Sequence, residues 1–111
     1  MEILEQTSGA VKVLRPRGPL AQGDADQFGE RARAAIRAAL GRIVVDVSAV
    51  QYVDSRGLEV LAELTEELGE GGSALKLCGT NETVREALDL TDLASLMEHY
   101  EDVTTAVRSF L

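Results

Sequence analysis

The sequence predicts an α/β domain in which four helices pack on a mixed β-sheet of about five strands. Residues 42–47, RIVVDV, are apolar at both odd and even positions, which is typical of a strand buried on both faces of a parallel sheet. Residues 58–68 carry leucines three or four positions apart, which is the spacing of one helix face. The 111 residues fit a single domain, residues 1–111, and a hydrophobic content of 45% is enough for a core.

The first two strands are predicted to form an antiparallel pair. MEILEQ (1–6) and AVKVLRPR (10–17) are short and rich in β-forming residues, and TSG between them favours a turn. Pro16 has no N–H group for a sheet ladder, so the second strand should fray or lie at an edge there. A helix is then expected from Asp24 to Gly41, since glycine can adopt the positive φ of a helix end. Its apolar positions fall at helical spacing: Ala25, Phe28, Ala32, Ala35, Ile36 and Ala39.

After the buried strand, helix and strand alternate to the end of the chain. This order predicts parallel neighbouring strands joined by right-handed crossovers. Cys78 ends an apolar strand and is expected to be a small buried residue. The predicted elements are a helix from Ser55 to the glycines of 69–72, a strand at 74–78, a helix capped by Thr80-Asn81, a weak strand at 95–100 and a helix capped by Asp102.

Composition excludes several classes of function. There are 11 Lys and Arg against 19 Asp and Glu, a net charge of −8, and such a surface repels nucleic acid and anionic lipid. No apolar stretch approaches the roughly 20 residues that span a bilayer, and MEILEQ lacks the basic and apolar regions of a signal peptide. A single cysteine permits no internal disulfide. We therefore expect a cytoplasmic protein that neither inserts into membranes nor binds nucleic acid directly.

The stretch Val53-Asp54-Ser55-Arg56-Gly57 allows three interpretations. In the first, Asp54 or Ser55 caps the following helix, and a Ser55→Ala change costs about 0.5–2 kcal/mol if Ser55 is the cap. In the second, Ser55 is a nucleophile. The G-x-S-x-G elbow of α/β-hydrolases has glycine where Val53 stands, and His99 is the only histidine available as a base, so the catalytic constellation is incomplete.

In the third interpretation Ser55 is phosphorylated. A helix N-terminus favours an anion, and a phosphoserine adds a charge of about −1.5 to −2, part of which Arg56 could shield. An aspartate phosphorylated as in two-component receiver domains is not supported. Those domains need a pair of acidic residues after the first strand to hold Mg²⁺, whereas Asp24 and Asp26 occur at a helix start.

Three segments carry a resemblance to the STAS domain, the family of bacterial anti-sigma factor antagonists. RIVVDVSAVQYVDSRGLEVL (42–61) resembles its central strand and D-S-x-G-L helix start, and GGSALKLCG (71–79) resembles its glycine turn and fourth strand. VREALDLTDLASLMEHYEDVTTAV (84–107) is similar to the end of the domain. The chain departs from the family pattern at Ala21, which replaces an acidic residue, at Arg56, where the family often has Ser or Thr, and at Asp92, which replaces the glycine of a T-G-L stretch.

The resemblance implies a protein that acts through its partners and has no catalytic activity, cofactor or metal. In the family, an anti-sigma factor that is also a serine kinase phosphorylates the serine matching Ser55, and a serine phosphatase reverses the reaction. The unphosphorylated antagonist binds the kinase and releases the sigma factor. An alternative within the family is a subunit that braces the ATPase of a lipid-trafficking ABC transporter, although such subunits typically carry threonine at this position. The implied partner-binding residues are Asp54, Ser55, Arg56, Gly57, Leu20 and Asp24.

Overall fold

The computed structural model describes residues 1–111, and the chain begins with a β-hairpin. Strands β1 (Glu2–Ser8) and β2 (Val11–Arg17) pair antiparallel, with Ser8 opposite Val11. Gly9 makes the turn between them with φ +60°, a conformation in which the lack of a Cβ avoids strain. The predicted antiparallel pair is confirmed.

Three strand–helix–strand connections follow the hairpin, and a short helix ends the chain. The sheet order is β1-β2-β3-β4-β5, and all neighbours after the hairpin are parallel. The predicted mixed sheet of five strands with four helices is therefore confirmed. The elements are α1 (Gln22–Ala38), β3 (Ile43–Asp46), α2 (Ser55–Glu70), β4 (Lys76–Cys78), α3 (Glu82–Leu90), a 3-10 helix (Ala94–Leu96), β5 (Glu98–Tyr100) and α4 (Val103–Arg108).

Helices cover both faces of the sheet, which explains why the central strand β3 is apolar at every position except its last. The larger core lies between the sheet and α1, α2 and α3, and it includes Phe28, Leu61 and Leu88 of these helices together with Val45 of β3. A smaller core on the other face joins residues of β2, β3 and β4 to α4. Its buried members are Val11, Val13, Val44, Cys78 and Ala106. All four residues of β3 are buried, as the sequence pattern predicted.

One local prediction is confirmed and two others need correction. The pairing of β2 with β3 stops at Leu14, so Pro16 has a neighbour only on the β1 side and lies at a local sheet edge, as predicted. Helix α1 begins at Gln22 and not at Asp24. The segment 95–100 is only half strand, because the 3-10 helix takes its first residues before β5 begins at Glu98.

Asp92 replaces the glycine of the T-G-L stretch, and its backbone has a conformation that glycine favours. Asp92 has φ +59°, in the left-handed region that glycine adopts without strain and that aspartate tolerates better than most residues. The turn after α3 therefore has a backbone conformation that glycine would also adopt.

Two further expectations concerned the burial of Cys78 and the lack of a membrane-spanning segment. Cys78 is 1% exposed, and burial, with smaller contributions from Asp46 and Asp102, raises its pKa to about 12. A thiol with so high a pKa is inert near neutral pH, in agreement with a structural role. No helix has both the length and the apolar character needed to cross a membrane.

Candidate functional site around Ser55

Ser55 is the first residue of the 16-residue helix α2, and its side chain is open to solvent. The strand β3 ends at Asp46, and residues 47–54 carry the chain from the sheet to this helix start. The Ser55 hydroxyl forms no hydrogen bond with any other group of the chain. A visiting active site can therefore reach this oxygen without breaking an existing interaction.

The cap of α2 is Asp54 and not Ser55, which decides the question that the sequence left open. Oδ1 of Asp54 accepts a hydrogen bond from the backbone N–H of Gly57 at 2.8 Å. Its Oδ2 accepts another from the N–H of Gln22 at 3.0 Å. Ser55 is not the cap, so the cost of a lost cap does not apply to Ser55→Ala: the hydroxyl satisfies no backbone donor of the helix.

The second bond of Asp54 also explains how α1 begins without a cap of its own. Ala21 precedes α1 in extended conformation and has no side-chain oxygen to bind the first N–H groups. Gln22 has φ +50°, and its backbone N–H donates to the side chain of Asp54 instead. One carboxylate therefore holds the N-termini of both helices together, which compensates for the missing acidic residue at position 21.

Gly57 lies where the start of α2 touches the segment before α1. A Cβ added there would lie 2.2 Å from the carbonyl oxygen of Leu20 and 2.5 Å from Cγ1 of Val53. Leu20 pairs with Val53 in an isolated parallel bridge, and its carbonyl accepts the N–H of Asp54 at 3.2 Å. The close approach leaves room for glycine alone and holds the backbone of Leu20 against the start of α2.

Of the implied partner-binding residues, Leu20, Asp54 and Gly57 are in direct contact, but the six residues do not share one surface. Leu20 is 1% exposed, so its side chain belongs to the core and only its backbone is near the site, which corrects the prediction of a surface residue. Gly57 is also buried. Asp24 is exposed in the first turn of α1, and Ser55 is exposed at the start of α2. The accessible part of the site is therefore formed by the first turns of these two helices.

Arg56 is held by three carboxylates that the sequence pattern did not predict as site residues. Its Nε donates to Oδ1 of Asp26 at 2.8 Å, and its Nη1 donates to Glu59 at 2.9 Å and to Glu63 at 3.5 Å. We call Asp26, Glu59 and Glu63 the carboxylate cage. The hydrogen bonds to Asp26 and Glu59 raise the pKa of Arg56 above its usual value. Spacings of three and seven residues along a helix could have identified Glu59 and Glu63.

The other readings of the site gain no support from the geometry. His99, the only candidate base for a serine nucleophile, lies in β5, and its Nε2 is 2.8 Å from the carbonyl oxygen of Ala94. Asp46 ends β3 but is bonded to the N–H of Ser48 at 3.0 Å and lies 3.8 Å from Nε of Arg15. No group of three or more His, Cys, Asp or Glu side chains is placed to hold a metal ion.

A family model of the STAS domain matches residues 2–106, nearly the whole chain. The chain belongs to the STAS domain family. A comparison with curated proteins found no match. The departures at Ala21 and Asp92 thus occur within a STAS domain whose fold they leave intact.

Solved structures of STAS proteins superpose closely on this chain at low sequence identity. An anti-sigma factor antagonist from Mycobacterium paratuberculosis is 24% identical with a TM-score of 0.82, covering 97% of this chain and 92% of that chain. SpoIIAA, an anti-sigma factor antagonist in its unphosphorylated form, is 19% identical with a TM-score of 0.80, covering 98% and 96%. SLC26A9, whose mouse counterpart is an anion transporter, contains a similar domain at 16% identity and a TM-score of 0.73, where 96% of this chain matches 20% of that one. At these identities the likeness concerns the fold.

Proposed function

We propose that this STAS domain is a cytoplasmic anti-sigma factor antagonist that is switched by phosphorylation of Ser55. In its unphosphorylated form it binds an anti-sigma factor that is also a serine kinase, and this binding releases the sigma factor. Phosphorylation of Ser55 by the kinase ends the complex, and a serine phosphatase restores the binding form. The domain is a substrate and a competitor in this cycle and catalyses no step itself.

The observation that carries this proposal is the state of the Ser55 hydroxyl. It is exposed at a helix start, forms no hydrogen bond, and leaves the capping of α2 to Asp54. A phosphate can therefore be added and removed without the loss of a stabilising contact. The partial positive charge of the helix N-terminus favours the added anion by about 0.3–1 kcal/mol, so the fold is expected to persist in both forms.

The neighbourhood of Ser55 suits a switch that acts by charge. The exposed face of α2 carries Glu59, Glu63, Glu66, Glu67 and Glu70, and the only cation beside Ser55 is bound by the carboxylate cage. A dianion added to this surface deepens an existing negative field, which a kinase with its own bound nucleotide phosphates would meet as repulsion. The match to the STAS family supports the same role.

The experiment is a calorimetric titration of the cognate anti-sigma kinase with wild type, Ser55→Asp and Ser55→Ala. We expect Ser55→Asp to bind at least tenfold more weakly and Ser55→Ala to bind like wild type, because only the first carries the charge. Ser8→Asp is the matched control, since Ser8 is exposed at the opposite end of the sheet from Ser55. Equal affinity of wild type and Ser55→Asp would exclude charge repulsion as the switch.

The same variants separate the proposal from the transporter alternative predicted from sequence. A subunit that braces a transporter ATPase would bind that ATPase constitutively, and Ser55→Asp would leave the complex unchanged. Retention of both wild type and Ser55→Asp by a purified ATPase of this class, with no binding to the kinase, would favour the bracing role.

A further inference from the structure

Arg56 directly follows Ser55 in the chain, yet its guanidinium is already bound by other side chains. Neighbouring residues of a helix are about 100° apart, whereas residues three and four apart share a face. Glu59 and Glu63 follow Arg56 by three and seven positions and both accept hydrogen bonds from its Nη1. Asp26 reaches the same guanidinium from α1. The guanidinium of Arg56 is therefore held at the contact between α1 and α2 by carboxylates of both helices.

A move of Arg56 towards a phosphate on Ser55 would break several interactions. It would give up the Nε and Nη2 bonds to Asp26 and the Nη1 bond to Glu59. These are charge-assisted hydrogen bonds between planar groups, which are the stronger kind. No spare cation would replace Arg56, because the next one along the contact, Arg33, already binds Glu63 at 2.7 Å.

Resting on the proposed phosphorylation of Ser55, we propose that the carboxylate cage withholds Arg56 from the phosphate. The phosphoserine then keeps its full charge for the encounter with the kinase. Asp26, Glu59 and Glu63 are thus specificity-determining residues, since they set the charge that the partner meets although none of them is modified. Opening the cage frees Arg56 to pair with the phosphate and weakens the discrimination between the two forms.

The test uses protein with phosphoserine installed at position 55 by chemical ligation, so it does not depend on any kinase. ³¹P NMR titration gives the second pKa of the phosphate in four proteins: the phosphorylated wild type, Arg56→Gln, the cage variant Asp26→Asn/Glu59→Gln, and the cage variant combined with Arg56→Gln. We expect Arg56→Gln to raise that pKa by less than about 0.2 in the intact cage and by about 0.5 or more in the opened cage, the size of an exposed ion pair. Glu66→Gln/Glu70→Gln is the matched background, because it removes two charges from α2 that do not contact Arg56.

A second readout connects the cage to recognition. The ratio of kinase affinities between unphosphorylated and phosphorylated protein should fall about threefold or more in the cage variant and should recover when Arg56→Gln is added. An equal rise of the phosphate pKa on Arg56→Gln in the intact and opened cages would overturn the proposal, since Arg56 would then already pair with the phosphate. Failure of the kinase to modify Ser55 would instead refute the proposed function and leave the NMR result unaffected.

Discussion

Gly57→Ala is the substitution whose effect follows most directly from the contact between α2 and Leu20. The added Cβ would lie 2.2 Å from the Leu20 carbonyl oxygen and 2.5 Å from Cγ1 of Val53. Favourable contacts between such atoms occur at about 3.5 Å, so α2 must move by about 1 Å. Overpacking of this kind lowers the free energy of unfolding by about 3 kcal/mol. The higher helix propensity of alanine relative to glycine raises it by about 1 kcal/mol. The expected net loss in the free energy of unfolding is about 2 kcal/mol.

Gly69→Ala provides the control within the same helix. An added Cβ at Gly69 meets nothing within 4 Å, so only the gain in helix propensity applies, up to about 1 kcal/mol. Urea unfolding followed by circular dichroism measures both variants, and a loss of 2 kcal/mol corresponds to a fall in Tm of about 8–16 °C for a domain of this size. If Gly57→Ala proves as stable as Gly69→Ala, the close approach of the Leu20 backbone to the start of α2 is not as described.

The remaining predictions concern the helix cap, the turn after α3 and the dependence on pH. Asp54→Ala should lower the free energy of unfolding by about 2 kcal/mol, because two backbone N–H groups lose their acceptor, whereas Ser55→Ala should change it by less than about 0.5 kcal/mol; equal losses in urea unfolding would contradict the assignment of the cap. Asp92→Gly should raise the melting temperature, because it relieves up to about 1 kcal/mol of left-handed backbone strain, and a lower melting temperature would argue against the positive φ. Hydrogen bonds from Tyr100 and Lys76 lower the pKa of Glu98 from its ordinary 4.5, and the N–H of Thr105 lowers that of Asp102 from 3.8. Both carboxylates stabilise the fold fully at a pH above those ordinary values, and this contribution is lost as the pH falls through their lower pKa values in the folded protein. The free energy of unfolding should therefore be smaller at pH 3 than at pH 7, as measured by urea unfolding.

Local pattern was enough to predict most of the elements of this fold. Helical leucine spacing identified α2, and the double-sided apolar run identified the buried centre of the sheet, because both patterns arise from burial of residues close in sequence. Asn81 and Asp102 were predicted as caps and do accept the N–H groups of Val84 and Thr105 at 2.8 Å. These features require no knowledge of distant parts of the chain.

Features that depend on long-range contacts were missed. Leu20 was predicted as a surface residue because its pairing with Val53, 33 positions away, has no local signature. The same holds for the reach of Asp54 to Gln22 and of Asp26 to Arg56 across the two helices. The cage and the shared cap are tertiary features, and only the part contributed by Glu59 and Glu63 follows from helical spacing.

Mapping the phosphate by mass spectrometry, after incubation of the domain with its cognate anti-sigma kinase and ATP, tests the central role of Ser55 most directly. We expect a single phosphate on Ser55 in wild type and none in Ser55→Ala, which should keep its stability because the hydroxyl forms no hydrogen bond. Phosphate on another residue, incorporated equally into wild type and Ser55→Ala, would contradict this expectation.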